Sequence, residues 1–217
     1  HKHETDSPLS VAEIGRLVGA FAGLGFWKVR LTGGEPTVRT DIVEIAATVA
    51  RAPGVRRVAL STNGFRLAEL AGELKRAGVA AVNVSVDSLD QTRFAAITGK
   101  DALDGVLAGI DLCLDLGLET KINAVLMRGL NEDEFGRFVE LARERPIGVR
   151  FIELMPTADN ADFFAARHLK AETLVAWLFK NGWDERARQE GDGPARSFIK
   201  EGYKGTIGVI APYANDF

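Results

Sequence analysis

Short apolar runs and longer amphipathic segments alternate along most of the chain. Runs rich in valine, isoleucine and leucine, bounded by glycine or proline, predict strands at 26–31, 57–60, 80–86, 120–126 and 149–154. Segments whose apolar residues recur three and four positions apart predict helices at 10–22, 41–52, 67–77, 91–97, 103–116 and 132–143. Ser10 with Glu13 is predicted to cap the first helix, and Asp41 the second. This order predicts βαβ units with right-handed crossovers and a parallel sheet.

Polar side chains recur on one face of four predicted strands. Side chains alternate between the two faces of a strand, so Val82 and Val84 lie opposite Asn83 and Ser85. The same alternation gives other strands a polar face that carries Arg30 and Thr32, Lys121 and Asn123, and Glu153 with Met155. A parallel barrel explains the pattern, because its apolar outer face meets helices and its polar inner face meets a ligand or water. The alternative is an open sheet with one face in solvent, but crossover helices usually cover both faces of such a sheet.

The pattern changes after Met155. Residues 156–167 are predicted as a long loop, 172–180 as a helix, and 197–200 and 206–210 as two short strands. We therefore divide the chain into a barrel core at 1–155 and a C-terminal extension at 156–217. The extension is expected to pack across the barrel rather than to continue its repeat.

The composition limits the class of protein. With 217 residues, 46% of them hydrophobic, the chain is long enough for one core of domain size. A net charge of −3 argues against a general partner for nucleic acid or an anionic membrane. No apolar run is long enough to span a bilayer, and the polar start lacks the apolar part of a signal peptide. The single cysteine, Cys113, excludes a disulfide framework and predicts a reducing, cytoplasmic location.

A double-glycine turn directly follows the first predicted strand, with Gly33 and Gly34 between Thr32 and the pair Glu35-Pro36. Two adjacent glycines allow a ligand to approach the backbone closely, or allow a positive φ. Glu35 places a carboxylate beside them. Ligands of α/β folds bind at the carboxyl ends of the parallel strands. The turn therefore predicts a ligand site at this end of the barrel.

Further motifs follow in a fixed order along the chain. They lie at 30–39, 61–64, 83–89, 97–99, 121–125, 151–156, 193–195 and 205–208. With these motifs the chain resembles the molybdenum cofactor biosynthesis protein A family, the GTP 3',8-cyclases of the radical S-adenosylmethionine (SAM) superfamily. The likeness covers nearly the whole chain, and several motifs in one order are more specific than any one alone.

The resemblance implies a fold and an activity. The fold is α/β, a partial parallel (β/α) barrel of the radical SAM type whose first strand and cluster loop lie outside this chain. The activity is that of a lyase, which uses a SAM-derived radical to convert GTP to (8S)-3',8-cyclo-7,8-dihydroguanosine 5'-triphosphate for molybdopterin. GTP is the implied partner, and a homodimer and a downstream enzyme of the pathway are left open.

The resemblance also implies site residues. The positions matching SAM contacts are Gly33, Gly34, Glu35, Asn63, Ser85 and Met155, with Glu35 as acceptor for the amino group. The positions matching GTP contacts are Arg30, Ser61, Lys121 and Asn123, with Ser61 where the family usually has threonine. No catalytic side chain and no metal ligand is assigned.

The chain departs from this family in its cysteines. The family holds one [4Fe–4S] cluster through a CxxxCxxC segment near its start and a second through three cysteines near its end. Both sets are missing here, and Cys113 is expected to be a core thiol on the apolar stripe of its helix. The chain is therefore expected to be a piece of a longer protein, able to bind ligands but not to start a radical reaction.

Some assignments keep alternatives. Asp87 is either a capping or salt-bridge residue at the end of its strand or a ligand group. Glu153 either contacts the substrate or forms an ion pair with Lys121 in the lumen. His168 is expected at the surface. The alternative functions are a related radical SAM enzyme with another substrate and a cluster-free nucleotide-binding module. Unchanged GTP affinity after Lys121→Ala would favour the first alternative, and flanking gene segments without cysteines the second.

Overall fold

The computed structural model describes residues 8–157, 159–188 and 193–211. The strands in these ranges are β1 (Lys28–Leu31), β2 (Arg57–Thr62), β3 (Val79–Ser85), β4 (Glu119–Leu126), β5 (Gly148–Glu153), β6 (Asp184–Arg186), β7 (Arg196–Ile199) and β8 (Thr206–Ile210). They form one sheet in the order β1-β2-β3-β4-β5-β8-β7-β6. The first five strands and β8 pair in parallel, whereas β6 and β7 pair antiparallel. The α/β class with a mostly parallel sheet is therefore confirmed.

The helices are α1 (Val11–Gly23), α2 (Ile42–Arg51), α3 (Leu67–Arg76), α4 (Gln91–Thr98), α5 (Leu103–Asp115), α6 (Phe135–Glu144), α7 (Ala161–Arg167) and α8 (Ala171–Lys180). Short 3-10 turns occupy Pro36–Val38 and Glu132–Glu134. The predicted order is confirmed, but the loop predicted at 156–167 is partly wrong because α7 lies within it. Tertiary contacts hold this helix, since Arg167 donates to the carbonyl oxygens of Arg128 and Gly129 at 3.1 and 3.2 Å. None of the described helices is long and apolar enough to cross a membrane.

The two predicted caps have different outcomes. At α1 the Ser10 hydroxyl accepts from the Glu13 amide at 3.3 Å, and the Glu13 carboxylate accepts from the Ser10 amide at 2.9 Å, so the capping box is confirmed. Asp41 precedes α2, but its side chain makes no cap hydrogen bond. Its carboxylate instead binds Arg39 through two hydrogen bonds of 2.8 Å. A bidentate ionic pair is stronger than a single bond to a backbone amide, so the guanidinium takes the carboxylate.

The core lies between the outer face of the sheet and the helices. Alternate residues of the central strands are buried there, namely Val58, Leu60, Val82, Val84, Ile122, Ala124, Val149, Phe151, Ile207 and Val209. Cys113 of α5 is fully buried in this core, and burial raises the pKa of its thiol to about 11. The predicted core thiol is confirmed, and the polar residues of the same strands form the opposite, inner face.

The fifth strand presents a different face from the one expected. Glu153 shares its alternation with the core residues Val149 and Phe151, so it lies on the outer face and not in the lumen. Its carboxylate accepts from the Ala171 amide at the start of α8 and binds His168 Nε2 at 2.6 Å. The predicted alternatives, an ion pair with Lys121 or a substrate contact, are therefore wrong. The surface assignment of His168 is wrong too, since its ring is half-buried and stacks on Phe164.

The C-terminal extension continues the sheet. β8 pairs with β5 in parallel, and β7 and β6 follow as an antiparallel edge. The expectation that the tail packs across the barrel without extending its repeat is corrected. Phe198, Ile207 and Val209 of the tail are buried in the common core, because their apolar alternation matches that of β5.

Candidate functional site

The register of the sheet aligns several predicted site residues in rows on the inner face. Ser61 of β2 pairs with Asn83 of β3, which pairs with Lys121 of β4. In the next row, Ser85 of β3 pairs with Asn123 of β4. Neighbouring strands are about 4.8 Å apart, so the predicted GTP contacts Ser61 and Lys121 lie within roughly 10 Å of each other. The register thus places the GTP and SAM candidates of these strands on one surface.

Five basic side chains gather at the amino-terminal half of this inner face, which we call the basic cluster: Lys28, Arg30, Arg57, Lys121 and Arg150. They line a cavity of about 160 Å³. Burial and the neighbouring cations Arg57, Lys121 and Arg30 lower the pKa of Lys28. The positive charges of the cluster repel one another, and a bound polyanion would relieve this repulsion.

Arg150 is a member of the basic cluster that no sequence motif indicates as a site residue. Its Nη2 donates to Asn83 Oδ1, while its buried Nε has no hydrogen-bond partner among the described residues. Burial and the charge of Arg30 lower its pKa to about 10, so it remains a cation near neutral pH. Buried polar atoms are normally paired, so an underpaired guanidinium in a cavity points to a ligand. The same argument applies to Asn123, whose buried Oδ1 also lacks a partner in the described ranges.

Two glycines make room for these cations. A Cβ atom at Gly208 would lie 2.7 Å from Cγ of Arg150, and one at Gly148 would lie 3.0 Å from Cγ of Lys121. Each glycine pairs across the sheet with its cation. The sequence carried this information, because Arg150 alternates with Val149 and Phe151 and so had to face inward. Glu153, the residue predicted for the inner face of this strand, lies on the outer face instead.

Glu35 links the double-glycine turn to the end of β2. One carboxylate oxygen accepts from the Thr37 amide at 3.0 Å and from the Thr62 hydroxyl at 2.7 Å, and the other accepts from the Asn63 amide at 2.6 Å. The Thr37 hydroxyl donates to the first oxygen as well, at 2.5 Å. Burial alone would raise the pKa of Glu35, but these hydrogen bonds outweigh it and hold the pKa below its usual value. No local sequence pattern predicts this link between the turn and the strand.

Glu35→Gln is expected to destabilise the chain by about 1 to 2 kcal/mol at pH 7, because an amide cannot accept all of these bonds. The pKa of Glu35 is lower in the folded than in the unfolded chain. Its contribution is therefore full above the ordinary glutamate pKa and is lost as the pH falls through the lower, folded value. Urea unfolding of both proteins at several pH values should show the difference shrinking below about pH 4.5. A constant difference would contradict this account.

The turn itself is open. Neither Gly33 nor Gly34 has a positive φ, and a Cβ atom added to either would meet no atom within 4 Å. The fold therefore does not require glycine at either position. Of the two reasons for a double glycine, only close approach of a ligand to the backbone remains.

The other predicted SAM contacts lie at the same end of the sheet. Ser85 ends β3 and is exposed, and Met155 follows β5 with 43% of its surface exposed. The side-chain oxygen of Asn63 accepts from the Phe65 amide at 3.0 Å, which leaves its NH2 group for a ligand. Asp87 accepts from the Val125 amide at 2.7 Å, which supports its structural alternative.

The described residues do not provide a cluster site. They contain no group of three or more His, Cys, Asp or Glu side chains that could hold a metal ion. Cys113, a free cysteine, is buried in α5. A ligand set for an iron–sulfur cluster is therefore not found in the described part of the chain.

Comparison with known proteins agrees with this geometry. Residues 1–142 match the family model described as the radical SAM superfamily. The chain belongs to the radical SAM superfamily. Residues 147–217 match a second model, described as Molybdenum Cofactor Synthesis C. The predicted superfamily and its α/β fold are thus confirmed.

Curated relatives within this superfamily are similar over nearly the whole chain. A protein of Stenotrophomonas maltophilia (strain R551-3) named GTP 3',8-cyclase is 51% identical over 210 residues, which are 96% of this chain and 64% of that protein. A protein of Actinobacillus succinogenes with the same name is 46% identical over 216 residues, 99% of this chain and 64% of that protein. The chain therefore spans just under two thirds of the length of these relatives.

Two solved structures of other proteins share the fold. Streptococcus suis SuiB bound to S-adenosylmethionine superposes with a TM-score of 0.64 at 15% identity, over 99% of this chain and 46% of that one. Coproporphyrinogen III oxidase (HemN) from Escherichia coli, titled a radical SAM enzyme, gives a TM-score of 0.57 at 12% identity. The match covers 92% of this chain and 54% of that one. At these identities the likeness supports the architecture alone.

Proposed function

We propose that this chain is the nucleotide-binding barrel of a GTP 3',8-cyclase, a radical SAM lyase of molybdenum cofactor biosynthesis. The observation that carries the proposal is the basic cluster, whose five cations face one cavity and include an underpaired Arg150. Such a cluster suits a triphosphate, which offers many charged acceptors on a narrow chain. The names of the relatives from Stenotrophomonas and Actinobacillus specify the same nucleotide.

The positions of the two subsites give GTP a direction in the barrel. Arg30 lies on β1 with the basic cluster, and Gly34 lies four residues further along the chain, past the carboxyl end of the strand. At about 3.3 Å per residue for a fully extended chain, the Cα atoms of the two are at most roughly 13 Å apart. The phosphates would bind Arg30, Lys121 and Arg150, with the ribose and guanine toward the glycine turn. Ser61 and Asn123 would contact the part of the nucleotide between these ends.

The open glycine turn fits SAM, whose methionyl group would lie against Gly33 and Gly34 near Ser85 and Met155. SAM bound beside a reduced iron–sulfur cluster supplies the radical chemistry of this superfamily. The turn keeps its shape through the Glu35 bonds to Asn63 and Thr37. Because those bonds engage both carboxylate oxygens, Glu35 has limited acceptor capacity left for an amino group.

The described residues hold, orient and charge-match the ligands, but they do not hold a cluster. Two [4Fe–4S] clusters, as the family resemblance implies, would need ligands other than these residues. A homodimer, contact with a downstream enzyme of the pathway and a cytoplasmic location are likewise parts of the proposal.

Calorimetric titration of the chain with GTP and with guanosine tests the proposal. We expect GTP to bind and each of Arg30→Met and Lys121→Met to weaken it about tenfold or more, since each removes a charge-assisted contact. Guanosine affinity should stay within about twofold of wild type, because neither cation contacts the nucleoside.

Two outcomes would redirect the proposal. If neither substitution changed the affinity for GTP, the result would favour a radical SAM enzyme with another substrate. Equal affinity of the chain for GTP and other nucleoside triphosphates, together with flanking gene segments that lack cysteines, would favour a cluster-free nucleotide-binding module.

A further inference from the structure

Glu119, at the start of β4, faces the basic cluster from within its cavity. One of its carboxylate oxygens accepts from Lys121 Nζ, and the other accepts from Arg57 Nη2. In the sheet register Glu119 occupies the same row as Arg30, with Ala59 and Ala81 between them. A single carboxylate therefore bridges two cations of the cluster.

This carboxylate is a charge of the same sign as the proposed ligand. Five cations and Glu119 leave an excess of four positive charges, and a triphosphate carries about four negative charges near neutral pH. Burial would raise the pKa of Glu119, but hydrogen bonds from Lys121 and Arg57 outweigh it, so the group is ionised at neutral pH. A phosphate that binds Lys121 must share its ammonium with this carboxylate or displace it.

The side chain has room to move. Its exposed fraction is 43%, and those of Arg57 and Lys121 are 32% and 35%. Ion pairs with this degree of exposure contribute little net stability, so solvent can replace them at small cost. A ligand with several charged oxygens can therefore take over both cations.

We propose that Glu119 is an internal counter-ion of the phosphate site, which occupies Lys121 and Arg57 in the free protein and gives way when a polyphosphate binds. The proposal rests on the triphosphate site described above. It assigns Glu119 the role of limiting the affinity of the basic cluster for anions, so that contacts to the nucleoside contribute to selection of the substrate. The opposite role, in which Glu119 holds the two cations in place for the ligand, makes the opposite prediction.

The test is titration of the wild-type chain and Glu119→Gln with inorganic tripolyphosphate, GTP and guanosine. We expect Glu119→Gln to bind tripolyphosphate and GTP about tenfold more tightly, because a like charge beside the ligand is removed. Its affinity should also fall more steeply with salt, while guanosine affinity stays unchanged. Glu73→Gln is the matched control, since Glu73 lies exposed on α3 and its loss changes the net charge equally.

The sign of the change decides the result. Unchanged or weaker tripolyphosphate binding by Glu119→Gln, with a wild-type chain that binds, overturns the counter-ion role and leaves the phosphate site standing. A wild-type chain that binds neither tripolyphosphate nor GTP overturns the phosphate site, and the inference with it. Should the glutamine variant not fold, Glu119→Thr, whose side chain suits a strand, makes the same comparison.

Discussion

Arg150→Met should weaken GTP binding by about 30-fold or more and yet stabilise the free chain by about 1 kcal/mol. The guanidinium is buried on the inner face with an unpaired Nε, and a neutral amide, Asn83, accepts from its Nη2. Methionine fills a similar volume without a charge to desolvate. Asn83 Oδ1 would lose the hydrogen bond that Arg150 donates, and this loss keeps the expected gain in stability small.

The sign of this stability change follows from the pKa of Arg150. Burial lowers it to about 10 in the folded chain, below its value in the unfolded chain. A base whose pKa is lower in the folded than in the unfolded chain destabilises the folded chain. This destabilisation is full at pH values below the folded pKa, and it decreases only as the pH rises above about 10. The methionine variant should therefore be more stable throughout the neutral range. Thermal unfolding at pH 7 should show a midpoint about 2 to 4 °C higher, as expected for a chain of this length.

Arg16→Met serves as the control for Arg150→Met. Arg16 is exposed on α1, so its loss removes the same charge far from the cavity. Its GTP affinity should remain within about twofold of wild type. A methionine variant at position 150 that is less stable than wild type would show that Arg150 is adequately solvated. One that binds GTP normally would remove it from the phosphate site.

Gly34→Val should weaken SAM binding by at least about tenfold and leave stability nearly unchanged. The position has no positive φ and no atom within 4 Å of an added Cβ. The Cβ of a valine therefore meets no atom of the free protein within 4 Å, while the side chain occupies the space that a ligand against the backbone needs. Calorimetric titration with SAM and thermal unfolding of the same samples check both parts.

Gly64→Ala is the informative comparison for Gly34→Val. Gly64 has φ +83°, and an added Cβ would lie 2.8 Å from Cγ1 of Val84. Alanine at this position should lower the stability by about 2 kcal/mol or more, because the positive φ strains an alanine backbone and the Cβ atom overlaps the packed core. Loss of stability in Gly34→Val, or SAM binding equal to wild type, would mean that the turn is a structural element and not a binding surface.

Much of this architecture is determined by local sequence. The alternation of apolar runs and amphipathic segments determined the order of strands and helices through 154, because burial imposes its period directly on the residues. The two-residue alternation in β3 and β4 also determined which side chains face the helices, as the buried Val84 and Ile122 show. The double-glycine turn could also be recognised from the sequence, because its residues are adjacent in the chain.

The partners of the polar residues were decided by tertiary structure. Glu35 binds the Asn63 amide, Glu119 binds Arg57 across 62 positions of sequence, and the tail strand β8 joins β5. The buried carboxylate of Glu134 likewise accepts from the Leu89 amide, which no local pattern predicts. Periodicity specifies which face of a strand a side chain occupies, but the register between strands specifies which side chains meet there. That register depends on the packing of the whole sheet, so the basic cluster and its counter-ion became visible only in the folded chain.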